Sequence, residues 1–250
     1  MSATATATRD STCFIVGLAR DRPEVLEAQR LRYQVFGEEL GARLPSAGLG
    51  IDEDEFDGHC DHLIVRDERS GAVVGTYRIL PPEAAGRAGG LYADREFDLT
   101  FLQPLRHRMV EVGRACVHPA HRSATVMLLM WSALARYVIE GGYEYFVGSA
   151  SIGLGDGGHL AASVFERVRR DRLSPDSLRV FPRNPLPLDH FEPSEPASIP
   201  PLLKGYLGMG AWVCGEPALD PEFNCADLPI LLSLDRLDSR FARHFLKRAA

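Results

Sequence analysis

The segment from Met109 to Ser151 limits the fold more than any other. "MVEVGRACV", Met109 to Val117, is small, apolar or β-favouring and reads as a strand. "RSATVMLLMWSALARYVIE" follows, apolar at helical spacing and stopped by Gly141 and Gly142. "YEYFVGSAS" then reads as a strand again. Strand, long helix and strand make a crossover unit, which lays the two strands parallel in one sheet. Yet the first strand carries a carboxylate, Glu111, and a guanidinium, Arg114. A charge inside a strand is costly to bury unless it is paired and hydrogen-bonded, so this unit has a task besides packing.

Around that unit the chain reads as one α/β domain over residues 11–250, behind a polar tail, 1–10, expected to be disordered. "CFIVGLA" reads as an opening strand. "DRPEVLEAQRLRYQVFGEEL" reads as a helix with Asp21 as N-cap, Pro23 in its first turn and Gly41 as its stop. "HLIVRD" and "AVVGTYRIL", joined by "ERSG", form a hairpin, and Pro81 to Gly90 reads as a loop. After the crossover come a helix "GGHLAASVFERVRR", a Pro-rich loop over 181–201 holding seven of the seventeen prolines, and a short helix at "PLLKGYLG". Strands "AWVCGE" and "LPILLSL" and a last helix from Asp235 complete the chain. The expected sheet is mixed and mostly antiparallel, with the fourth and fifth strands parallel.

A net charge of −6 argues against a general nucleic-acid binder. Five scattered cysteines without a CxxC pair fit reduced thiols in the cytoplasm, and "HCDH" matches no standard ligand spacing, so no metal is expected. No stretch is as long as a membrane span. The last helix sets Leu234, Leu237, Phe241 and Phe245 near one face among arginines and lysine. It suits docking on the sheet, or resting on the inner face of the cytoplasmic membrane.

The crossover with "VHPAHRSATVMLLM" opening its helix resembles the GNAT acyltransferase fold. In that fold the two parallel strands splay and the pantetheine arm of an acyl thioester lies between them, with helices on both faces of the sheet. The phosphate end then meets the helix N-terminus. Here the loop "HRSATV" lacks glycine, which suits a single phosphopantetheine phosphate better than a pyrophosphate. "LRYQVFGEELGA", "DEDEFDGHCDHLIV", "GTYRILPP", "EVGRACVHPAHR" and "LLKGYLGMGAWVCGEPALDPEFNCADLPILL" together resemble the ornithine-lipid N-acyltransferases, from about Arg30 to His244. That resemblance implies transfer of a 3-hydroxyacyl chain from acyl carrier protein to the α-amine of ornithine, with no cofactor besides the carrier's thioester. The charged pattern also resembles the acyl-homoserine-lactone synthases, but the tryptophan they carry after the phenylalanine is absent between Gly37 and Leu44.

The resemblance carries over Arg32, Phe36, Asp54, Asp57, Arg78, Glu111 and Arg114. Arg32 and Phe36, four apart on a helix, share one face; Asp54 and Asp57 suit a cationic amino acid, and Arg78 its carboxylate. Each taken singly also reads as a surface ion pair. Glu111 is the candidate general base, because an α-amine with a pKa of roughly 8 arrives mostly protonated. It lies an odd number of residues from Arg114, so a bulge near Gly113 is needed to bring both to one side. The backbone N–H groups of Cys116 and Val117 are candidate oxyanion donors. The Cys116 thiol reads as a buried strand cysteine before it reads as a nucleophile. His118, Arg122 and Ser123 are expected at the donor mouth. There, together with Arg106, His107, Arg108 and His121, they would receive an acidic carrier protein; Arg167, Arg169, Arg170 and Arg172 form a second basic group. The rival readings are an N-acyl amino acid synthase with another acceptor, a lactone-synthase-like enzyme, and a lipid-binding or membrane-lytic protein without catalysis.

Overall fold

The structure is a computed structural model and describes residues 13–191 and 198–238. The expected disordered tail and most of the last helix lie outside them. The strands are β1 (Phe14–Leu18), β2 (Asp61–Asp67), β3 (Val73–Leu80), β4 (Phe97–Asp98), β5 (Met109–Val117), β6 (Tyr145–Gly153), β7 (Phe181–Pro182), β8 (Trp212–Val213), β9 (Ala218–Asp220) and β10 (Cys225–Ser233). The helices are α1 (Arg22–Arg32), α2 (Pro82–Arg87), α3 (Ala124–Glu140), α4 (His159–Val168) and α5 (Pro201–Met209).

Eight strands form one sheet in the order β1-β2-β3-β5-β6-β10-β8, with β9 also on β10; β4 and β7 pair separately. Among the described strands of the large sheet only the β5–β6 ladder is parallel, as the crossover requires. The fourth and fifth strands of the sequence reading are thus β5 and β6. Asp21 caps α1 by accepting the Glu24 N–H at 3.0 Å, and the helical path continues as a π-turn over Tyr33–Glu39. Gly41 then takes φ +74°, which glycine adopts without strain. One expectation fails: part of the Pro81–Gly90 loop is α2, six residues starting at Pro82. Alanines at 84 and 85 favour helix, but six residues are too few to show an apolar period.

Strand alternation sorts the core into two layers. Val126, Met130, Leu134 and Val138 of α3 pack on Leu63, Val65, Tyr77 and Ile79, and α4 and α5 cover Ala226, Leu228, Ile230 and Leu232 beside them. On the other face α1 packs on Ile64, Val73 and Cys116, while α2 and the segment through Phe97 cover Met109, Val147 and Leu231.

Two local features position the site. Thr76 of β3 pairs with Cys116 and Arg78 with Gly113, so Tyr77 of β3 opposes two residues of β5, Arg114 and Ala115, and Arg114 takes φ +50°. This is the bulge that Glu111 and Arg114 need. On its other edge β5 pairs with β6 only at Met109, Val110 and Glu111, opposite Tyr145, Phe146 and Val147. Beyond these the strands part, while β6 keeps its ladder with β10 from Tyr145 to Gly153. At the parting, the Val112 carbonyl oxygen sits where a side chain at Gly148 would begin.

Candidate active site

The charges placed in the first half of the chain converge. Arg32, in the last turn of α1 and fully buried, donates through Nε to Asp52 Oδ2 at 2.8 Å and through a terminal nitrogen to Asp57 Oδ1 at 2.7 Å. The other Asp57 oxygen accepts from Arg78 at 2.9 Å, and Arg78 also reaches Asp54 Oδ1 at 2.6 Å. Arg114 closes the chain of pairs, 3.3 Å from both Asp52 and Asp54. Three arginines and three aspartates thus neutralise one another, which is what permits their burial. Burial would raise the Asp57 carboxyl, but Arg32 and Arg78 outweigh it and hold it well below the usual carboxylate range. Asp52 was not among the expected residues: its loop is acidic throughout, and only the fold shows which carboxylate meets Arg32.

In front of this network lies a cleft of about 1090 Å³, part of it open to solvent. Arg78, Arg114, Glu111, Phe36 and Tyr92 line it. Arg114 lies over the rings of Tyr92 at 4.8 Å and Phe223 at 4.4 Å, which fixes the guanidinium against two flat surfaces. Arg32 and Asp57 do not line the cleft and belong to the scaffold behind it, a correction to their expected contact with substrate. Asp54 sits between the two cleft arginines and aims them.

Glu111 reaches the cleft wall, but its oxygens are engaged: Oε2 accepts the Tyr92 N–H and Oε1 the Ala93 N–H, both at 2.7 Å. Burial pushes its carboxyl up, and the two N–H groups pull it back. The carboxylate fixes the turn at Tyr92–Asp94 in front of the cleft. Beside that turn the cleft holds acids that were not among the expected site residues, Glu96, Asp220 and Asp227. Ser149 of β6 donates to Glu96 at 2.8 Å and Ser151 donates to Asp227 at 2.6 Å. These groups come from four separate stretches, so no spacing in the sequence links them.

Through the gap between β5 and β6 the cleft meets a second cavity, of about 580 Å³, on the α3–α5 face. Trp131, Leu134, Phe146, Met209, Ile230 and Leu232 make its lining largely apolar. Val112, Gly148, Ser149 and Tyr206 border both cavities. A polar chamber on one face of the sheet and an apolar one on the other therefore join at the splay.

The donor-side expectations divide. The His118 N–H goes to the Val74 carbonyl at 2.8 Å, so strand alternation sends that of Cys116 into the β3 ladder and that of Val117 to the open edge. Val117 is therefore the available backbone donor, and Cys116 is not. Burial pushes the Cys116 thiol up to about 12, which leaves no thiolate for covalent catalysis. Ser123 caps α3, accepting the Val126 N–H at 3.4 Å, and Arg122 is held by Glu39 at 2.7 and 2.5 Å. The first basic group does not gather at one mouth. Arg106, His107 and Arg108 precede β5 while His118, His121 and Arg122 follow it, about 26 Å apart for an extended strand of eight steps. As for metal, Asp220, Cys225 and Asp227 bring three donor atoms within 4.8 Å, but they mix a soft thiol with hard carboxylates, which suit different metals.

A family model described as an acetyltransferase (GNAT) domain matches residues 31–132. An L-ornithine N(alpha)-acyltransferase of Rhodobacter capsulatus is 35% identical, over 94% of this chain and 95% of its own. The namesake from Brucella abortus is 33% identical over 92% and 88%. The chain belongs to the L-ornithine N(alpha)-acyltransferase family. Among solved structures, the acyl-homoserine-lactone synthase LasI superposes with a TM-score of 0.54 at 15% identity, covering 95% of this chain and 96% of its own. FeeM, an N-acyl amino acid synthase from uncultured soil microbes, superposes at 0.56 and 12% identity, covering 91% and 94%. Both share the family's fold. The segment that the GNAT-domain model matches contains Arg32, Asp52, Asp54, Asp57, Arg78 and Arg114, so the whole ion-pair chain lies inside it. Among the described residues no helix is long and apolar enough to cross a membrane.

Proposed function

We propose that this chain moves a long acyl chain, a 3-hydroxyacyl group on acyl carrier protein, to the α-amine of ornithine. The single observation that carries this reading is the joined pair of chambers at the β5–β6 splay, charged on one face of the sheet and apolar on the other. An acceptor with a carboxylate and two ammonium groups finds Arg78 and Arg114 in the charged chamber together with Glu96, Asp220 and Asp227. Phe36 packs beside it. The acyl chain fills the apolar chamber, which brings the thioester carbonyl to the gap.

There the amine attacks the carbonyl carbon. A backbone N–H on the open edge of β5 steadies the oxyanion, worth about 3 kcal/mol for one such donor; that of Val117 lies five residues past Val112 and borders neither chamber. Collapse expels the thiol, which leaves easily with a pKa of roughly 8.5. Glu111 acts by holding the Tyr92–Asp94 turn against the cleft. The N-terminus of α3 and the flanking His118 and Arg122 face the phosphopantetheine, with no cofactor besides it. Leu40, 59% exposed at the rim of the charged chamber, favours contact with the inner face of the cytoplasmic membrane, where a lipid product belongs.

The test is thiol release by the purified protein from 3-hydroxyacyl carrier protein or the matching coenzyme A thioester, against ornithine, lysine, glycine and homoserine lactone, with products read by mass spectrometry. Carrier- and ornithine-dependent release is expected. Equal release with glycine, or release from coenzyme A alone, would overturn the acceptor or the donor assignment respectively.

A further inference from the structure

The reaction must remove a proton from an ammonium group, and Glu111, with both oxygens bound to backbone N–H groups, is poorly placed to take it. We propose that Glu96, held by Ser149 at the mouth of the splay, is the carboxylate that takes this proton, while the neighbouring Asp227 keeps a negative charge. This rests on the acyl-transfer function proposed above and assigns it a residue that the motifs do not contain.

The geometry favours Glu96 in three ways. It follows the turn that Glu111 clamps, so the clamp also sets where Glu96 stands. Its partner Ser149 lies one residue beyond Gly148, where β5 and β6 part and the thioester carbonyl must sit. Its carboxyl lines the same cleft as Arg78 and Arg114, so an amino acid whose carboxylate meets the arginines has Glu96 within the same chamber to receive its amine. The groups around it are Asp227 and Asp220 from β10 and β9, Glu111 and Arg114 from β5, and Tyr92 from the turn. Burial, and then the charge of Asp227, push the Glu96 carboxyl up to about 9. A carboxyl in that range exchanges a proton with an amine at little cost.

The balance is simple. Glu96 in the empty site carries a proton, which goes to solvent when the ammonium substrate binds. The carboxylate then takes one proton from the ammonium, leaving a neutral amine. The C–N bond forms, the carbonyl π pair moves to oxygen and returns, and the C–S bond breaks. The second nitrogen proton passes to the sulfur, giving thiol and amide, with one proton released overall.

The experiment uses the full chain, with Glu96→Gln, Glu111→Gln and Ser149→Ala. Ornithine is titrated calorimetrically at pH 7 in buffers of different ionisation enthalpy, and thiol release is followed from pH 6 to 10. Wild type should release close to one proton on binding ornithine. Glu96→Gln should bind without release and lose at least about 100-fold in kcat. Glu111→Gln should keep the proton release. Ser149→Ala removes a hydrogen bond that favours the ionised carboxyl, so the acidic limb of its pH profile should move to higher pH; this arm stands even if Glu96→Gln fails to fold. An unmoved limb in Ser149→Ala, or full activity and proton release in Glu96→Gln, would overturn the role of Glu96 while leaving the acyltransferase function standing. Wild type that neither binds nor acylates ornithine would overturn both.

Discussion

Buried charge in this molecule follows two opposite regimes a few residues apart. Around Arg32 every charge is matched, so removing one partner strands the others. Arg32→Ala should lower unfolding stability by about 3–5 kcal/mol in urea titration, because Asp52 and Asp57 keep their burial and lose their counter-charge. Around Glu96 the charges are mismatched, and stability is given up for chemistry. Its folded pKa lies above the unfolded value of about 4.5, so the folded state binds the proton more tightly. The resulting stability is present below pH 4.5 and lost as pH rises toward 9. Thermal unfolding should therefore show Glu96→Gln more stable than wild type at pH 8, with the difference vanishing near pH 4.5. The first regime was legible: Arg32, Asp54, Asp57, Arg78, Glu111 and Arg114 stand in recognisable motifs. The second was not, since Glu96 stands in none of the quoted motifs, Asp227 is one acid in a long motif that attached no role to it, and the two meet only because β10 lies beside β6.

Among the elements, the crossover was readable because its two strands and long helix have clear periods and stops. The bulge in β5 was also readable, because Glu111 and Arg114 could share a side in no other way. What escaped was the second edge of β5. Gly148 looked like any strand glycine, yet its missing side chain admits the Val112 carbonyl. Gly148→Ala should force the two apart, costing about 1–3 kcal/mol in thermal or chemical unfolding and lowering kcat by altering the gap. Gly205 of α5 plays a similar part in the apolar chamber, where the Trp131 indole occupies the position its Cβ would take. Gly205→Ala should press the indole into the chamber and shift the products, measured by mass spectrometry, toward shorter acyl chains. α2 shows the converse limit: its proline and glycines suggest a loop, but Ala84 and Ala85, packed beneath Leu91, make it a helical turn.

Across the whole molecule the order of elements and the mixed sheet could be foreseen, while the distribution of surface charge could not. Residues close in the sequence to either end of β5 look like one basic cluster on paper, but a strand separates its ends by its full length. The proposed carrier protein therefore has the α3 end, with His118, His121 and Arg122, as its landing place. Arg122→Glu should raise KM for the acyl carrier protein about 10-fold and leave KM for ornithine unchanged in steady-state assays, an effect that added salt diminishes. The opening between β5 and β6 also shapes what happens after the bond is made. The head of the product lies on one side of the sheet and its tail on the other, straddling the point where the two strands part. The tail must leave the apolar chamber before the product is free, so each added methylene should lengthen its exit.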